Sequence, residues 1–525
     1  MESQEIDGQN ELPQDQRIAV KVLENPDVYP KPPAEVTHKE THISHLFFAG
    51  DLVYKIKKPV RYSFLDYSSL DKRRRFLGEE LRLNRRLAPS VYLGITPITK
   101  DSESHWRLGG DGDVVEYALV MRRLPEKRML PFLLNTHQVT PLMMNELAET
   151  VAKFHKSAER MDFDPRQYVD AVEKEWRDNL LDLEPFVNRA IEAESLGAFK
   201  DFGTRFLHRH DELFAGRPQK GWIRDVHGDL HCEHVCFAPE GIQIFDCIEF
   251  SSKLRCCDLA SEIAFLIMDL EVRGAGSLVQ PFLSRYSDLQ KDPDLPVLLP
   301  FYKCYRALVR GKVHALRSPA DDDGAKRYFR FAHRFTWESV QPLLIVVFGL
   351  TGSGKSTLAQ ELGDRLGMTV INSDAVRKAL TGRSGRQNVP FNTGIYSQKI
   401  TDKTYQEMAR KAEEQIVYKR GVVLDATFSA KSQRQRICHL GERYQIPVFF
   451  LHCAASEETT KKRLAQRARE NRDISDGRWE IYLEQARAFQ PVDEFSSGNH
   501  LELNTEIPVG QIAHACEKFL RSRLE

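Results

Sequence analysis

The sequence predicts two parts: an α+β unit of two lobes over 17–338, then an α/β unit with a parallel sheet over 342–525. Three observations predict this. The 525 residues exceed what one hydrophobic core usually holds, since domains run to about 100–200 residues. Beyond Gln341-Pro342, short apolar runs alternate with amphipathic helical patterns, as in βαβ units. Before it, a strand-rich stretch precedes a longer, mainly helical one.

Taken in order, residues 1–16 are polar and acidic and read as a short disordered tail. "THISHLFFAGDLVYKIKKPV" holds two apolar runs around Gly50-Asp51, a hairpin turn signal. A basic helix, "SLDKRRRFLGEELRLNRRLA", separates it from a further strand, "VVEYALVMRRL". After Pro131 the pattern is helical, except for "WIRDVHGDLHCEHVCFAPEGIQIFDCIEF", which reads as strand, loop, strand, turn and strand. In the second part "LLIVVF", "TVINS", "GVVLDA" and "PVFFLHC" are the expected parallel strands.

Composition narrows the class. Lysine plus arginine equals aspartate plus glutamate at 75 each, which argues against bulk binding to nucleic acid or anionic membrane. No apolar run reaches the ~18–20 residues of a membrane span. Nine cysteines, with no C-x-x-C pair, fit a reducing cytoplasm better than a disulfide framework. Cys256-Cys257 are expected as buried small hydrophobes, and Asp258 as a helix N-cap with Glu262 in the turn that follows. The basic helix "FYKCYRALVRGKVHALRS" is expected to be solvated or packed on a cleft wall.

"GLTGSGKST" places Gly349, Gly352, Gly354, Lys355, Ser356 and Thr357 between a β-run and a helix, the Walker A arrangement. The glycines let backbone N–H groups turn toward phosphate oxygens, Lys355 can reach the β- and γ-phosphates, and the Ser356 hydroxyl can sit on Mg²⁺. "NSDAVRKAL" puts Asp374 and Arg377 after the second strand, where an acid can take a hydroxyl proton and an arginine can grip an anion. Asp425 ends the "VVLDA" strand and is a candidate for the Mg²⁺ shell. Arg463, Arg467, Arg469 and Arg472 form an arginine-dense stretch expected to close as a lid.

"HGDLHCEHVCF" admits two readings. As a zinc site it offers His227, His231, Cys232, His234 and Cys236, but His227 and His231 lack a helical context and a second ligand pair. As a catalytic loop, Asp229 would orient an acceptor hydroxyl, His234 would stand at the metal position five residues on, and Asp246 would be the second metal carboxylate. Lys55, with Lys57 as rival, and Glu80 or Glu79 would form the strand-lysine and helix-glutamate pair that fixes the nucleotide phosphates.

On "GLTGSGKST", "SDAVRK" and the arginine stretch, the second part resembles the P-loop kinases of the polynucleotide-kinase and zeta-toxin group. On Lys55, the Glu79/Glu80 helix, His227-Gly228-Asp229 and Asp246, the first resembles the aminoglycoside phosphotransferase and choline-kinase family, a branch of the protein-kinase-like fold. The whole looks like bacterial proteins that join the two. The resemblance implies ATP and Mg²⁺ as cofactors, "VMRRLPE" as the strand beside the adenine, Asp374 as acceptor base, Arg377 as an acceptor-phosphate contact, and a hydroxyl-bearing acceptor that is a small molecule or a nucleic-acid end. No stable nucleic-acid complex and no membrane association are expected. This chain departs from the family in lacking G-x-G-x-x-G before Lys55, where "THISHLFFAGD" stands, and in carrying His234 where the family has Asn. A first part that only binds and regulates, or an ATPase switch without acceptor, remain as alternatives.

Overall fold

A computed structural model describes residues 14–62, 65–102, 105–317, 322–382, 393–470, 478–495 and 498–524. The chain forms two compact units, Met1–Tyr328 and Phe329–Glu525, and their division falls inside the helix Asp322–Glu338.

The tail expected over 1–16 lies outside the described residues as far as residue 13. From Gln14 the chain is already a helix, Gln14–Glu24, because Ala19 and Leu23 bury their side chains and the Gln16 amide donates to the Lys57 carbonyl and to Glu116.

The first lobe is a six-stranded antiparallel sheet. Its strands are β1 (Val36–Glu40), β2 (Ser44–Ala49), β3 (Leu52–Lys57), β6 (Tyr92–Lys100), β7 (Trp106–Leu108) and β8 (Asp113–Arg122), in the order β1-β2-β3-β8-β6-β7. A two-stranded ribbon, β4 (Arg61–Tyr62) with β5 (Leu65–Asp66), follows β3. Gly50 takes φ 61° in the two-residue turn between β2 and β3, which matches strand twist as primed turns do. Helix Leu70–Asn84 starts at a Ser69 cap and lays Leu77, Glu80 and Leu83 inward.

The second lobe is helical around two short ribbons, β9 (Ile223–Asp225) with β12 (Cys256–Asp258) and β10 (Val235–Ala238) with β11 (Gly241–Ile244). Its centre is helix Leu259–Val272, whose residues are all buried but one, Glu271. Arg217, fully buried, forks to Asp258 at 2.7 and 2.8 Å and to Asp292 at 2.7 and 2.8 Å, and so ties the start of that helix to the following segment.

The second unit has five parallel strands in the order β14-β15-β13-β16-β17: β13 (Leu344–Phe348), β14 (Thr369–Asn372), β15 (Val422–Ala426), β16 (Val448–Ala454) and β17 (His500–Asn504). All five β13 residues are buried, since helices cover both faces of a parallel sheet. Apolar layers lie on either side: Leu358, Leu362 and Leu520 on one, Met408, Ile416 and Ile437 on the other.

Candidate active sites

The site of the first unit starts with two lysines on one face of β3. Lys55 Nζ donates to Glu80 Oε1 at 2.7 Å and to Asp246 Oδ1 at 3.1 Å. Lys57 Nζ donates to Glu80 Oε2 at 2.7 Å, to Glu249 Oε1 at 2.5 Å and to the Tyr67 hydroxyl at 3.2 Å. One glutamate therefore serves both lysines. Glu80 rather than Glu79 is that residue, because Glu79 sits at the helix surface and pairs with Arg82. Burial opposes the Lys55 charge, yet the carboxylates of Asp246 and Glu80 hold its pKa above the ordinary value.

Asp246 follows β11 in a left-handed conformation, φ 64°, uncommon outside glycine but best tolerated by Asp and Asn. Its N–H donates to the Tyr92 hydroxyl at 3.1 Å, and the next N–H, of Cys247, donates to Asn84 at 2.9 Å. The Lys55 ammonium holds the Asp246 carboxyl well below the usual carboxylate range.

The loop after β9 brings Asp229 and His234 to the same place. His234 lies 3.6 Å from Asp229 Oδ2 through Nδ1 and 3.6 Å from Asp246 Oδ2 through Nε2. Lys55, Glu80, Asp229, His234 and Asp246, predicted from separate stretches, thus form one constellation. Burial works against ionising Asp229, but His231 at 3.5 Å and His234 keep its pKa low. Desolvation lowers His227 to about 3 and keeps it neutral.

A layer of residues beneath holds the loop. Glu262 accepts from the N–H of His227 at 2.8 Å and of Gly228 at 3.0 Å; Asp269 accepts from the Cys232 N–H at 3.0 Å. Arg306 donates to the Gly228 carbonyl at 3.2 Å. Gly228 has φ 82°, and a Cβ there would meet the Arg255 backbone at 3.1 Å. Sequence reasoning did not assign Glu262, Asp269 or Arg306 to the site. The available signal was Glu262 and Asp269, seven residues apart and hence on one face, in the largely apolar "LASEIAFLIMDLEV". The basic helix expected to be solvated or on a cleft wall packs inward, with Arg306 and Arg310 buried. Asp258 caps its helix as expected by accepting from Ala260 N–H, while Cys256 and Cys257 are half-buried rather than buried because they lie on the two-stranded ribbon.

Where a glycine-rich loop was missing, residues 41–43 make a tight turn. The Thr41 hydroxyl accepts from the N–H groups of Ile43 and Ser44, and Thr41 N–H donates to the Ser44 carbonyl at 2.9 Å.

In the second unit, β13 ends in a loop whose Gly349, Gly352 and Gly354 have φ of 144°, 80° and 85°. A Cβ on Gly349 would sit 2.3 Å from the Cys453 carbonyl, so only glycine fits. The loop opens helix Lys355–Leu366, with Ser356 and Thr357 in its first turn. Lys355 Nζ donates back to the Leu350 carbonyl at 3.4 Å. Asp425 Oδ2 accepts from Asn372 at 2.6 Å, and Oδ1 is buried without a hydrogen bond among the described residues. Burial raises the Asp425 pKa, and the neighbouring Lys355 opposes the shift. Asp374, in the first turn of helix Ser373–Thr381, pairs with Arg377 at 2.8 Å, and Arg377 is buried over the Tyr396 ring.

Arg463, on the stretch expected as a lid, lies against the glycine loop. It donates to the Thr505 hydroxyl at 3.0 Å and to the Gly352 carbonyl at 3.5 Å, because the Thr505 hydroxyl itself donates to the Ser353 carbonyl at 2.6 Å. Gln485 accepts from the Thr351 N–H at 2.9 Å. Thr505 and Gln485 were missed, since isolated polar residues far along the chain carry no pattern. Arg467 is half-buried on helix Glu457–Glu470; the Arg469 side chain and Arg472 lie outside the described residues.

Each unit thus holds a lysine near carboxylates, and the family matches of the two parts make the chain a phosphotransferase. Residues 22–301 match the model of the phosphotransferase enzyme family and residues 344–492 that of an AAA domain; the chain belongs to the phosphotransferase enzyme family. A protein of Mycobacterium tuberculosis (strain ATCC 25618 / H37Rv), described as uncharacterized, is 31% identical over 448 residues, 83% of this chain and 87% of the relative. A 2-phosphoglycerate kinase of Methanococcus maripaludis (strain C5 / ATCC BAA-1333) is 27% identical over 210 residues, 34% of this chain and 65% of the relative. A solved sugar kinase from Janibacter sp. HTCC2649 is 17% identical, with a TM-score of 0.28 over 34% of this chain and 95% of that one. Among the described residues, no helix is long and apolar enough to cross a membrane.

Proposed function

We propose that the chain is an ATP-dependent kinase whose main nucleotide site is the loop of residues 349–357, with a second nucleotide site in the cleft of the first unit. The observation that carries the reading is the second-unit loop: three left-handed glycines leading into Lys355 and Ser356, with the buried Asp425 carboxylate beside both side chains. In this reading the helix N-terminus and Lys355 bind the β- and γ-phosphates. The oxygens of Ser356 and Asp425 suit Mg²⁺, which when bound with ATP neutralises charge between the phosphates. Asp374, oriented by Arg377, takes the acceptor hydroxyl proton as the new oxygen–phosphorus bond forms and the bond to the leaving ADP breaks. Arg467 supplies charge to the transferring group. The acceptor is a small anionic hydroxyl compound, supported by the Asp374–Arg377 pair and by the likeness to a 2-phosphoglycerate kinase.

In the first unit the roles are Lys55 and Glu80 for the phosphates, Asp229 for the acceptor hydroxyl, and Asp246 with His234 for the metal. His234 beside two carboxylates favours a second reading, a unit that binds nucleotide without transferring phosphate and regulates its partner in a cytoplasmic protein.

The experiment incubates the purified chain with Mg²⁺, γ-labelled ATP and a cell metabolite extract, in parallel with Lys355→Ala and Asp229→Ala. Loss of labelled product with Lys355→Ala alone supports the second-unit kinase and the binding role of the first. Product undiminished by Lys355→Ala refutes the assignment of residues 349–357.

A further inference from the structure

The three histidines of "HGDLHCEHV" differ in which ring nitrogen carries the proton, and backbone partners decide it. His227 Nε2 faces the Phe245 carbonyl at 2.9 Å, which can only accept, so Nε2 is protonated; Nδ1 accepts from the Asp229 N–H at 3.3 Å. His231 Nδ1 accepts from the Glu233 N–H at 3.3 Å, so its proton is on Nε2, directed at Asp229 Oδ2 3.5 Å away. His234 is the reverse. In the neutral ring its Nδ1, 2.9 Å from the Asp229 carbonyl, must donate, so Nε2 is left as a bare lone pair.

That lone pair faces a carboxylate. His234 Nε2 lies 3.6 Å from Asp246 Oδ2 and makes no hydrogen bond among the described residues. Two acceptors directed at each other repel unless a cation lies between them. The neighbours do not turn it away: Asp246 is held by Lys55 at 3.1 Å and by its strained φ, and His234 by the Asp229 carbonyl. Ligand bonds of ~2.1 Å to nitrogen and oxygen would span the gap at an angle of about 120°. The pairing of one imidazole nitrogen with one carboxylate oxygen is a poor set for Mg²⁺, which demands oxygen, and a good one for first-row transition ions.

We infer that the cleft of the first unit is selective for a divalent transition ion of the Mn²⁺, Co²⁺ and Zn²⁺ class, held between His234 Nε2 and Asp246, rather than for Mg²⁺. The inference rests on reading this cleft as a nucleotide site. The second unit supplies an internal contrast, since Ser356 and Asp425 offer oxygen only. One chain thus joins two phosphate sites of different metal taste.

The test uses the full chain with Lys355→Ala, which silences the other loop, and AMP-PNP as a nucleotide that is not turned over. Co²⁺ and Mg²⁺ are titrated by calorimetry, and the visible Co²⁺ spectrum reports nitrogen ligation. The expected result is one Co²⁺ per chain, a nitrogen-shifted band, and binding at least about tenfold tighter than Mg²⁺. His234→Asn should remove the shift and cost Co²⁺ on the order of 10- to 100-fold while sparing Mg²⁺. Asp246→Asn should weaken both ions, and thermal melting confirms that each variant is folded. An unchanged Co²⁺ band in His234→Asn, or equal affinity for the two ions, overturns the inference and points to an imidazolium paired with Asp246. Phosphate transfer is scored separately. Mg²⁺-dependent transfer lost with Asp229→Ala, together with a Co²⁺ band that His234→Asn leaves unmoved, leaves the kinase reading standing and removes the metal inference. Co²⁺ held through His234 without transfer under either ion does the opposite.

Discussion

The two lysines of β3 can be separated experimentally, because their surroundings differ more than their spacing suggests. All three Lys57 donors are taken, by Glu80, Glu249 and Tyr67, and its side chain is fully buried. Lys57→Met leaves Glu249, still hydrogen-bonded by the Tyr67 hydroxyl, and half of Glu80 without their buried counter-charge. Removing one partner of such a set costs about 3–5 kcal/mol. At roughly 2 °C per kcal/mol for a unit of this size, the first unit should melt about 6–10 °C earlier. Lys55→Met is milder: Asp246 is 47% exposed and can be solvated, and Glu80 keeps Lys57. A loss of about 1–2 kcal/mol is expected. For nucleotide the order reverses. Lys55 is the lysine that bridges to Asp246, so Lys55→Met should lower transfer by the first unit on the order of 100-fold, or abolish AMP-PNP binding if that unit does not turn over. Differential scanning calorimetry, which resolves separate transitions for separate units, gives the first quantity, and nucleotide titration gives the second. A folded Lys57→Met that loses nucleotide, beside a Lys55→Met that keeps it, would show that the roles have been assigned the wrong way round.

Two further outcomes concern buried charges of the second lobe. Burial raises Glu262 to about 7 from an ordinary value of 4.5, so between those values the folded unit binds more protons than the unfolded one and stability falls as pH rises. The fall is limited to about 3 kcal/mol, and urea midpoints at pH 5 and pH 8 should show a slope that Glu262→Gln flattens. Arg217→Met should cost about 3–5 kcal/mol by stranding Asp258 and Asp292, whereas Arg217→Met with both aspartates changed to Asn should recover most of it; a single variant as stable as the parent refutes the account.

What could be read in the sequence is what sequence neighbours dictate. The β-run, glycines and helix of residues 344–366 are local, as are the Gly50 turn and the Asp258 cap, and the structure has them in place. Periodicity placed Lys55, Lys57, Glu79 and Glu80 on their elements but could not say which glutamate faces inward, because that depends on the sheet packed against the helix. The helix rotation decides it: Glu80 shares the buried face with Leu77 and Leu83. Long-range polar ties were illegible. Nothing near Arg463 in the chain signals its hydrogen bond to Thr505. Likewise Glu262 stands in the first helical turn, as expected, but nothing local signals that its partners are N–H groups of another segment.

The Thr505 hydroxyl that donates to the Ser353 carbonyl lies 152 residues downstream of it. A ribosome adding about 5–20 residues per second would take roughly 8–30 seconds to make that partner after the glycines of the loop have been polymerised. During that interval the loop lacks Thr505, Arg463 for much of the time, and Gln485, which come from the last strand exit and the late helices. On the proposed reading, competence of the second unit to hold nucleotide waits until the chain has been made through Thr505. A nascent chain stalled before β17 would carry the whole glycine-rich signature without the braces that give it shape.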